Sequence, residues 1–451
     1  MNYKKWIIGL CILNILPALS QEYNIENIHI DGYIGNRINT CIEHRVKSQN
    51  TDHLIEPFKH RNEDHLWQSE FFGKWLLGAI ASYQYTKDKE LYNLITNSVE
   101  KLMNTQTSDG YIGIMAGGTG RRFWPYSRKA LPKQFLDFFG TGQTLLQQTY
   151  ERYRQILPAE NIFITTNQHY KELVLNSLPG FSESNLIVEE EHRNTAPAIA
   201  YASYVIQKIN PDASIVVAPS DHLILKMDEF KQDILKSLEF ASHSDKLLTL
   251  GIKPSYPETG YGYIQVSEEK EEDFYKVKTF IEKPLREFAE VFVQSNEFYW
   301  NSGIFVWHVK TIMKAFHEMM AEVCPQVECD MPKFSTCPNS SIDYSIMEKA
   351  DNVYVLLCDF GWADIGTWNA LYDASPKDEN QNVTTHSNAL LYNCKDNIIM
   401  TPKDKLVVVQ DLEGYLVAEQ GNALLICKKD DQNAIRKFVN DAEMKFGELY
   451  S

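Results

Sequence analysis

The sequence predicts an α/β protein with a Rossmann-like, mostly parallel sheet, a small β domain after it and an all-α fragment before it. Three patterns within the 451 residues lead to this prediction. Residues 21–113 have helical periodicity, residues 114–381 alternate short apolar runs with helical stretches, and residues 382–451 contain short strands before one final helix. A chain of this length is expected to form two or three domains.

The N-terminal fragment is predicted to be helical. Apolar side chains recur every three or four positions in two long stretches, 65–85 and 89–106. Ahead of them, two lysines precede the apolar run 6–19, and Ala18-Leu19-Ser20 is typical of a cleavage site. Residues 1–20 are therefore predicted to be a secretory signal peptide, with a short buried helix or a membrane anchor as the alternatives.

The middle segment has the pattern of βα units. Short apolar runs that favour strands lie at 161–165, 214–218, 247–251 and 352–357. Helical stretches alternate with them at 144–156, 197–209 and 228–242. This alternation predicts a mostly parallel sheet that is covered by helices.

The C-terminal segment is rich in short strands. They are predicted at 389–392, 397–400, 406–409, 415–419 and 423–428, and an amphipathic helix is predicted at 432–447. Short strands with little helix between them favour a small β domain, and a short β-solenoid is one form that it can take.

Charge and cysteine content limit the functions open to the chain. A formal net charge of −16 argues against a nucleic acid partner, because phosphate backbones require clustered Lys and Arg. Phosphate chemistry is therefore expected to depend on a few local cations. The eight cysteines form no paired metal-binding motif, so buried free thiols are expected, with a metal site at Cys324, Cys329 and Cys337 as the alternative.

The residues best suited to chemistry follow the first apolar run of the middle segment. The stretch 117–122 has the pattern GGxGxR, and Pro132-Lys133-Gln134 adds a lysine. Glycines let the backbone approach a nucleotide closely, and successive N–H groups can face phosphate oxygens. The pattern predicts a phosphate-binding loop with attendant cations, and a tight turn with solvated cations is the alternative.

The stretch GGTGRRFWPYSRKALPKQF at 117–135 resembles the signature of the mannose-1-phosphate guanylyltransferases, within the wider family of sugar-phosphate nucleotidyltransferases. Further stretches resemble motifs of that family in the same order: EHRNTAP at 191–197, APSDH at 218–222, TGYGYI at 259–264, FIEKP at 280–284, WNSGIF at 300–305 and DIGTW at 364–368. The resemblance extends from residue 114 to the last quarter of the chain. It implies transfer of GMP from GTP to mannose 1-phosphate, with release of pyrophosphate.

The resemblance also implies roles for individual residues. Arg121, Lys133 and Asp221 would be catalytic, and the two cations would neutralise the triphosphate and the leaving pyrophosphate. Nucleotide contacts would come from Ala116, Gly117, Gly118, Gly120, Arg121, Asn194, Thr195 and Asp221. Asp221 and Asp364 would hold Mg²⁺, which prefers carboxylate and phosphate oxygens. No histidine has a spacing that suggests a general base.

For the sugar phosphate, the resemblance implies Gly262, Glu282, Lys283 and Asn301. Lys283 would hold the phosphate, Glu282 and Asn301 suit sugar hydroxyls, and Gly262 leaves room for the sugar. Ordinary structural alternatives exist for these motifs. They are a solvated turn stopped by Pro284, a helix N-cap at Asn194 or Thr195, and a turn or N-cap at Asp221 and Asp364.

The N-terminal fragment resembles a different family. GNRINTCIEHR at 35–45, WQSEFFGKW at 67–75 and QTSDGYIG at 106–113 are similar to the start of a β-L-arabinofuranosidase of the helical-barrel type. The resemblance stops near Gly113, and an incomplete ring of helices is expected to be inert and to expose apolar faces. The join falls inside the expected first strand of the nucleotidyltransferase, which Gly113 is expected to weaken. A fused or misassembled reading frame accounts for this join.

The predicted compartment and the predicted chemistry conflict. GTP and sugar phosphates are cytosolic, so the chemistry predicts a cytoplasmic enzyme, whereas a signal peptide would direct export. No stable membrane partner is expected, and a homodimer is left open. The functional alternatives are an enzyme for another hexose 1-phosphate and an inactive chimera with a secreted glycosidase-like fragment.

Overall fold

The structure, a computed structural model, describes residues 29–56, 68–104, 110–118, 121–191, 193–320, 337–447 and 450. The chain divides into two compact units, Met1–Thr107 and Ser108–Ser451. The predicted signal peptide lies outside the described residues, as do Cys324 and Cys329 of the cysteine cluster. Within the described part of the chain, no helix has both the length and the apolar character that crossing a membrane requires.

The first unit is helical in its described part, as its periodicity predicts. Its helices are Gly32–Cys41, Thr51–Ile55, Gln68–Thr86 and Lys89–Asn104, with a π-helical turn at Ile42–Lys47. Ile42, Ala79 and Leu91 form a small buried core. Tyr33 and Phe71 are exposed on these helices.

A nine-stranded sheet forms the centre of the second unit. In chain order the strands are β1 (Gly110–Met115), β2 (Ile162–Asn167), β3 (Leu186–Glu189), β4 (Ser214–Pro219), β5 (His222–Ile224), β6 (Leu247–Ile252), β7 (Gly262–Glu271), β8 (Phe274–Glu282), β9 (Phe298–His308), β10 (Val353–Cys358) and β11 (Trp362–Asp364). The sheet has the order β3-β2-β1-β4-β9-β6-β10-β8-β7, while β5 and β11 form a separate ribbon. The first four strands in this sheet order, β3, β2, β1 and β4, pair in parallel, as do β6 and β10. Strands β8 and β9 run antiparallel to their neighbours.

Strand β1 spans the join between the two resemblances and is paired on both edges. Ile112 lies opposite Ile162 of β2 and Val216 of β4. Gly113 does not interrupt the strand, because both neighbouring strands supply hydrogen bonds to the backbone around it. The compact second unit runs from Ser108, so it includes all of β1, which the boundary predicted at residue 114 divides.

Alternate residues of β1 supply two cores on opposite faces of the sheet. Ile112 and Ile114 pack in one core, and Tyr111 packs in the other. Helices cover both faces, as is usual for parallel sheets. They are Leu145–Arg154, Lys171–Ser177, Thr195–Ile209, Met227–His243, Arg286–Ser295 and Val309–Met319, whereas Trp368–Ala374 packs in a third cluster with the C-terminal strands.

A β-rich region and a final helix follow. The strands are β12 (Asn388–Tyr392), β13 (Ile398–Met400), β14 (Leu406–Gln410), β15 (Tyr415–Gln420) and β16 (Ala423–Lys428). β12 pairs with β14 and β13 pairs with β15, both in parallel and with the same sequence separation between paired residues. β15 and β16 are antiparallel. The short β-solenoid stays a prediction. Ile435 and Val439 of the helix Gln432–Phe446 pack in one cluster with Phe123, which follows the glycines of the phosphate-binding pattern at 117–120, called the Gly-rich loop below.

Candidate active site

The Gly-rich loop lies at a crevice in the sheet. Gly117 and Gly118 follow β1 and Asp221 follows β4, so both turns leave the carboxyl ends of adjacent parallel strands. Strands β2 and β3 lie on one side of β1 in the sheet, and β4 lies on its other side. Ligands of open α/β sheets bind at such a reversal of strand order.

Hydrogen bonds hold the carbonyl oxygens of this loop. Gln134 Nε2 donates to the oxygens of Ala116 and Gly118 at 3.1 and 3.0 Å, and Thr166 Oγ1 donates to the oxygen of Ala116 at 3.1 Å. A backbone that is already fixed loses less conformational entropy when a ligand binds. Gly120, which the sequence also assigns to the nucleotide, lies outside the described residues.

The two predicted metal ligands lie together beside Lys133. The ribbon of β5 and β11 pairs His222 opposite Asp364, and Asp221 directly precedes that ribbon. Lys133 Nζ lies 2.7 Å from Asp221 Oδ2 and 3.6 Å from Asp364 Oδ1, and it donates to the Ile365 carbonyl oxygen at 3.1 Å. One ligand atom from each of Asp221, His222 and Asp364 lies within 4.8 Å of the others.

The donor atoms of this cluster fit a hard divalent cation. Trp362 Nε1 donates to His222 Nδ1 at 3.1 Å, and because an indole can only donate, neutral His222 carries its proton on Nε2. Burial lowers the pKa of His222, so the ring is neutral at pH 7. The free ligand atoms are therefore carboxylate oxygens. Asp364 Oδ1 is buried, has no hydrogen bond of normal length and lies 3.6 Å from the Lys133 ammonium, so it is open to a cation.

Burial and charge act in opposite directions on this cluster. Burial lowers the pKa of Lys133, but the charges of Asp221 and Asp364 outweigh it and raise that pKa above its ordinary value. Burial raises the pKa of Asp364, yet the charges around it, that of Lys133 foremost, hold it below its ordinary value. The site therefore keeps a charged lysine and an ionised Asp364 at neutral pH.

Arg122 acts on this cluster, although the family resemblance implies Arg121 as the loop cation. The side chain of Arg121 lies outside the described residues, so its catalytic role stays a prediction. Partial burial lowers the pKa of Arg122, and its charge lowers the pKa of Asp364. The pattern GGxGxR itself places its arginine at position 122, so the signal for this residue was present in the sequence.

A cavity of about 430 Å³ opens beside the Gly-rich loop. It brings together residues that the sequence assigns to the nucleotide, the metal and the sugar phosphate: Gly117, Gly118, Asn194, Thr195, Lys283 and Asp364. Asn194 has a φ of 70°, and its side chain accepts from the Thr195 N–H at 2.9 Å at the start of the helix Thr195–Ile209. Asn194 therefore caps the helix and lines the cavity at once.

The residues predicted for the sugar lie together at one end of this site. Gly262 on β7 pairs opposite Glu282 on β8. A Cβ added at Gly262 would lie 2.6 Å from Glu282 Oε2 and 3.3 Å from Asn301 Cβ, so the position requires glycine. Lys283 forms an ion pair with Glu282, whose side chain is only 10% exposed.

The Asn301 side chain is held by three neighbours. Its Oδ1 accepts from Thr249 Oγ1 at 2.9 Å and from the Gly303 N–H at 3.1 Å, and its Nδ2 donates to Asp343 Oδ1 at 3.0 Å. Burial, reinforced by the charge of Glu282, raises the pKa of Asp343 to about 6. Asp343 carries no signal of function in the sequence, because its importance depends on a contact between distant segments.

Comparisons with known proteins match the two parts of the chain to two different families. Residues 113–381 match the nucleotidyl transferase family, and residues 27–132 match the β-L-arabinofuranosidase GH127 catalytic domain. The second match runs past Gly113, where the resemblance was expected to stop, and overlaps the first match over residues 113–132. The structure places that overlap in the second unit, with β1 and the Gly-rich loop.

Relatives of known name cover most of the second unit. The chain is 36% identical over 351 residues to mannose-1-phosphate guanylyltransferase 2 of Escherichia coli O157:H7, covering 72% of each chain. It is 35% identical over 345 residues to the mannose-1-phosphate guanylyltransferase of Klebsiella pneumoniae, again covering 72% of each. A crystal structure from Thermus thermophilus, described as a mannose-1-phosphate geranyltransferase, matches with a TM-score of 0.68 at 28% identity, covering 74% of this chain and 99% of that one.

Proposed function

Since the chain belongs to the nucleotidyl transferase family, we propose that it transfers GMP from GTP to mannose 1-phosphate and releases pyrophosphate. The observation that carries this proposal is the meeting of Lys133, Asp221 and Asp364 beside the cavity that the Gly-rich loop and Lys283 line. A phosphate-binding loop, a pair of carboxylates and a sugar-phosphate lysine are the parts that nucleotidyl transfer requires. The names of the relatives support guanine as the base and mannose as the sugar.

In the proposed reaction, a phosphate oxygen of the sugar 1-phosphate attacks the α-phosphorus of GTP. The bond from that phosphorus to the bridging oxygen breaks, and pyrophosphate leaves with the electron pair. The attacking oxygen is ionised at neutral pH, so no residue has to remove a proton. Repulsion between negative groups and their misorientation make up most of the barrier, so catalysis depends on fixed positive charge and positioning.

The residues of the chain divide this work. Lys133 and Arg122 oppose the negative charge that grows on the departing pyrophosphate. Lys283 exchanges its ion pair with Glu282 for the phosphate of the incoming sugar. Glu282 is then free to accept a hydrogen bond from a sugar hydroxyl, next to the Asn301 amide and in the space that Gly262 leaves.

We propose Mg²⁺ as the cation held by Asp221 and Asp364. Both ligands offer carboxylate oxygens, and the adjacent His222 presents an N–H where a softer metal would require an unprotonated nitrogen. When bound, Mg²⁺ would neutralise phosphate oxygens of the nucleotide. Lys133 holds the Asp221 carboxylate in place for this purpose through their ion pair.

The substrates also favour a compartment. GTP and sugar phosphates are cytosolic, so we propose a cytoplasmic enzyme, and the signal peptide predicted at residues 1–20 conflicts with this location. Fractionation of cells that produce the full-length chain tests the proposal. Activity in the cytosolic fraction with residues 1–20 intact is expected, and recovery of a processed chain outside the cytoplasm would overturn it.

Pyrophosphate release tests the reaction itself. The purified chain is incubated with Mg²⁺ and GTP, with and without mannose 1-phosphate, beside the variant Asp221→Ala. We expect release that requires the sugar phosphate and is lost in the variant, and no release from a folded wild-type chain would overturn the proposal. A panel of nucleoside triphosphates and hexose 1-phosphates then separates mannose and guanine from other substrates of the same class.

A further inference from the structure

A short π-helical turn, Asp343–Met347, carries a carboxylate to the sugar end of the cavity. Ile346 and Met347 are buried in the core beneath it, which fixes the turn. From this position Asp343 accepts a hydrogen bond from Asn301 Nδ2 at 3.0 Å. None of the motifs that predict the sugar site includes this residue.

The contacts of Asn301 allow its amide only one orientation. Both lone pairs of Oδ1 are engaged, by Thr249 Oγ1 and by the Gly303 N–H, and one hydrogen of Nδ2 goes to Asp343. A flipped amide would set its NH₂ group against the Gly303 N–H and its oxygen against the Asp343 carboxylate. The second Nδ2 hydrogen stays available, and Nδ2 lies 3.6 Å from the point that a Cβ at Gly262 would occupy, on the side where the sugar is proposed to lie.

The segment that carries Asp343 is also tied to the nucleotide side of the cavity. The Ile342 N–H donates to Thr195 Oγ1 at 2.9 Å, and the Ala196 N–H donates to the Ser340 carbonyl oxygen at 3.1 Å. These bonds fix the segment without help from a bound sugar. Asp343 is therefore in place to orient Asn301 before the substrate arrives.

We propose that Asp343 is a positioning residue, which orients the Asn301 amide so that its remaining N–H binds a hydroxyl of the sugar 1-phosphate. This inference rests on the proposed function and adds a residue to its sugar site. Asp343 touches Asn301 and not the reacting atoms, so its effect falls on sugar affinity and not on the phosphoryl chemistry. Binding of GTP is expected to be independent of it.

Charged groups around Asp343 make this role dependent on pH. Glu282 on β8 disfavours ionisation of Asp343, whereas Lys283 and a hydrogen bond from Ser341 favour it. The pKa of about 6 means that Asp343 is ionised at pH 7.5 and largely protonated at pH 5. A bond to a carboxylate is stronger than one to a neutral carboxyl group, so the orientation of Asn301 is expected to weaken as the pH falls through this range.

Kinetics of three variants test the proposal at pH 7.5. Asp343→Ala removes the acceptor and is expected to raise the KM for mannose 1-phosphate about tenfold, while the KM for GTP changes less than about twofold. Asp343→Asn has nearly the same shape, keeps a carbonyl acceptor and is expected to lose less. Asp351→Asn, an exposed carboxylate on the same segment, is the matched control and is expected to behave as the wild type.

The pH dependence provides a readout that a merely structural role would not give. GDP-mannose is the probe, because it lacks the sugar phosphate group that itself titrates near pH 6. Between pH 7.5 and 5, its affinity for the wild type is expected to fall relative to its affinity for Asp343→Asn. Parallel pH profiles, or equal rises in both KM values, would overturn the positioning role.

The same measurements separate this inference from the proposed function. A wild type that neither releases pyrophosphate nor binds GDP-mannose would overturn both. A wild type that does both, beside Asp343 variants with unchanged KM for mannose 1-phosphate, would overturn the positioning role alone.

Discussion

Lys133 Nζ lies 2.7 Å from Asp221 Oδ2, and the same amine reaches Asp364 Oδ1 at 3.6 Å. The lysine comes from the short turn Lys133–Phe135, and the first aspartate from the end of β4. Two carboxylates at close range repel each other, and the lysine offsets that repulsion. Lys133 therefore holds the two proposed metal ligands together and is also a candidate to contact the triphosphate.

Lys133→Met is expected to separate these two roles. Loss of the cation should lower turnover by about 100-fold or more, because a fixed charge at the reacting phosphates is removed. The carboxylates would then face each other uncompensated, so Mg²⁺ should raise the melting temperature of the variant more than that of the wild type. Pyrophosphate release and thermal unfolding at several Mg²⁺ concentrations measure both effects. The control is Lys129→Met, on the same loop but paired with Glu443; equal activity in the two variants would contradict this role for Lys133.

Substitution of the two loop arginines should show which of them serves the site. Arg122→Gln is expected to reduce kcat/KM by about 100-fold, because its partly buried charge acts on Asp364. Arg121→Gln is expected to have the smaller effect. Steady-state kinetics of both variants, under the same Mg²⁺ and GTP conditions, decide the matter. The reverse order would return the catalytic assignment to Arg121.

Gly262→Ala is expected to block the sugar end of the site. The added methyl group would lie 2.6 Å from Glu282 Oε2, so Glu282 must shift out of the place where it would meet a hydroxyl. The KM for mannose 1-phosphate should rise by about tenfold or more, with little change in the KM for GTP. Gly73→Ala, where the added Cβ meets no atom within 4 Å, serves as the control. An unchanged KM for the sugar phosphate would show that the sugar does not lie beside Gly262.

Asp343→Asn is expected to stabilise the folded chain at neutral pH while it weakens sugar binding. The folded-state pKa of about 6 lies above the ordinary value of 3.8, so the folded chain binds this proton more tightly than the unfolded chain. Ionisation of Asp343 therefore lowers the free energy of unfolding by ~1–3 kcal/mol, and this loss develops as the pH rises from about 4 to about 6. Asparagine does not ionise. Denaturant unfolding at pH 4 and pH 7.5 should show a gain in stability only at the higher pH, and a gain of equal size at both would contradict this account.

Periodicity predicted most of the elements, because burial of an apolar face repeats at the period of the element. The runs at 214–218 and 423–428 became β4 and β16 nearly residue for residue. Pairing partners were harder to predict. The insertion of β9 between β4 and β6, antiparallel to both, depends on which apolar surfaces meet and not on any local pattern.

The same limit applied to the site. The family resemblance implied that Asp221 and Asp364 act together, and the ribbon of β5 and β11 brings them close to each other. Asp343 could not be predicted from the sequence, because it becomes important only through its contact with Asn301 on a different segment. Gly113 was expected to weaken β1, but hydrogen bonds from two neighbouring strands support a position that local propensity disfavours.

Two truncations test where the enzyme begins. Removal of residues 1–107 leaves β1 complete, so activity is expected to stay within about twofold of the full chain and the soluble yield to rise as exposed apolar helices are lost. Removal of residues 1–113 takes away four residues of β1, including the buried Tyr111 and Ile112, which pair with Ile215 and Val216 of β4. Each buried side chain of this kind contributes ~1.5–3 kcal/mol, so the shorter chain should be insoluble or inactive. Soluble yield and pyrophosphate release are measured for both truncated chains. Loss of activity after removal of residues 1–107 would show that the helical unit is integral to the enzyme.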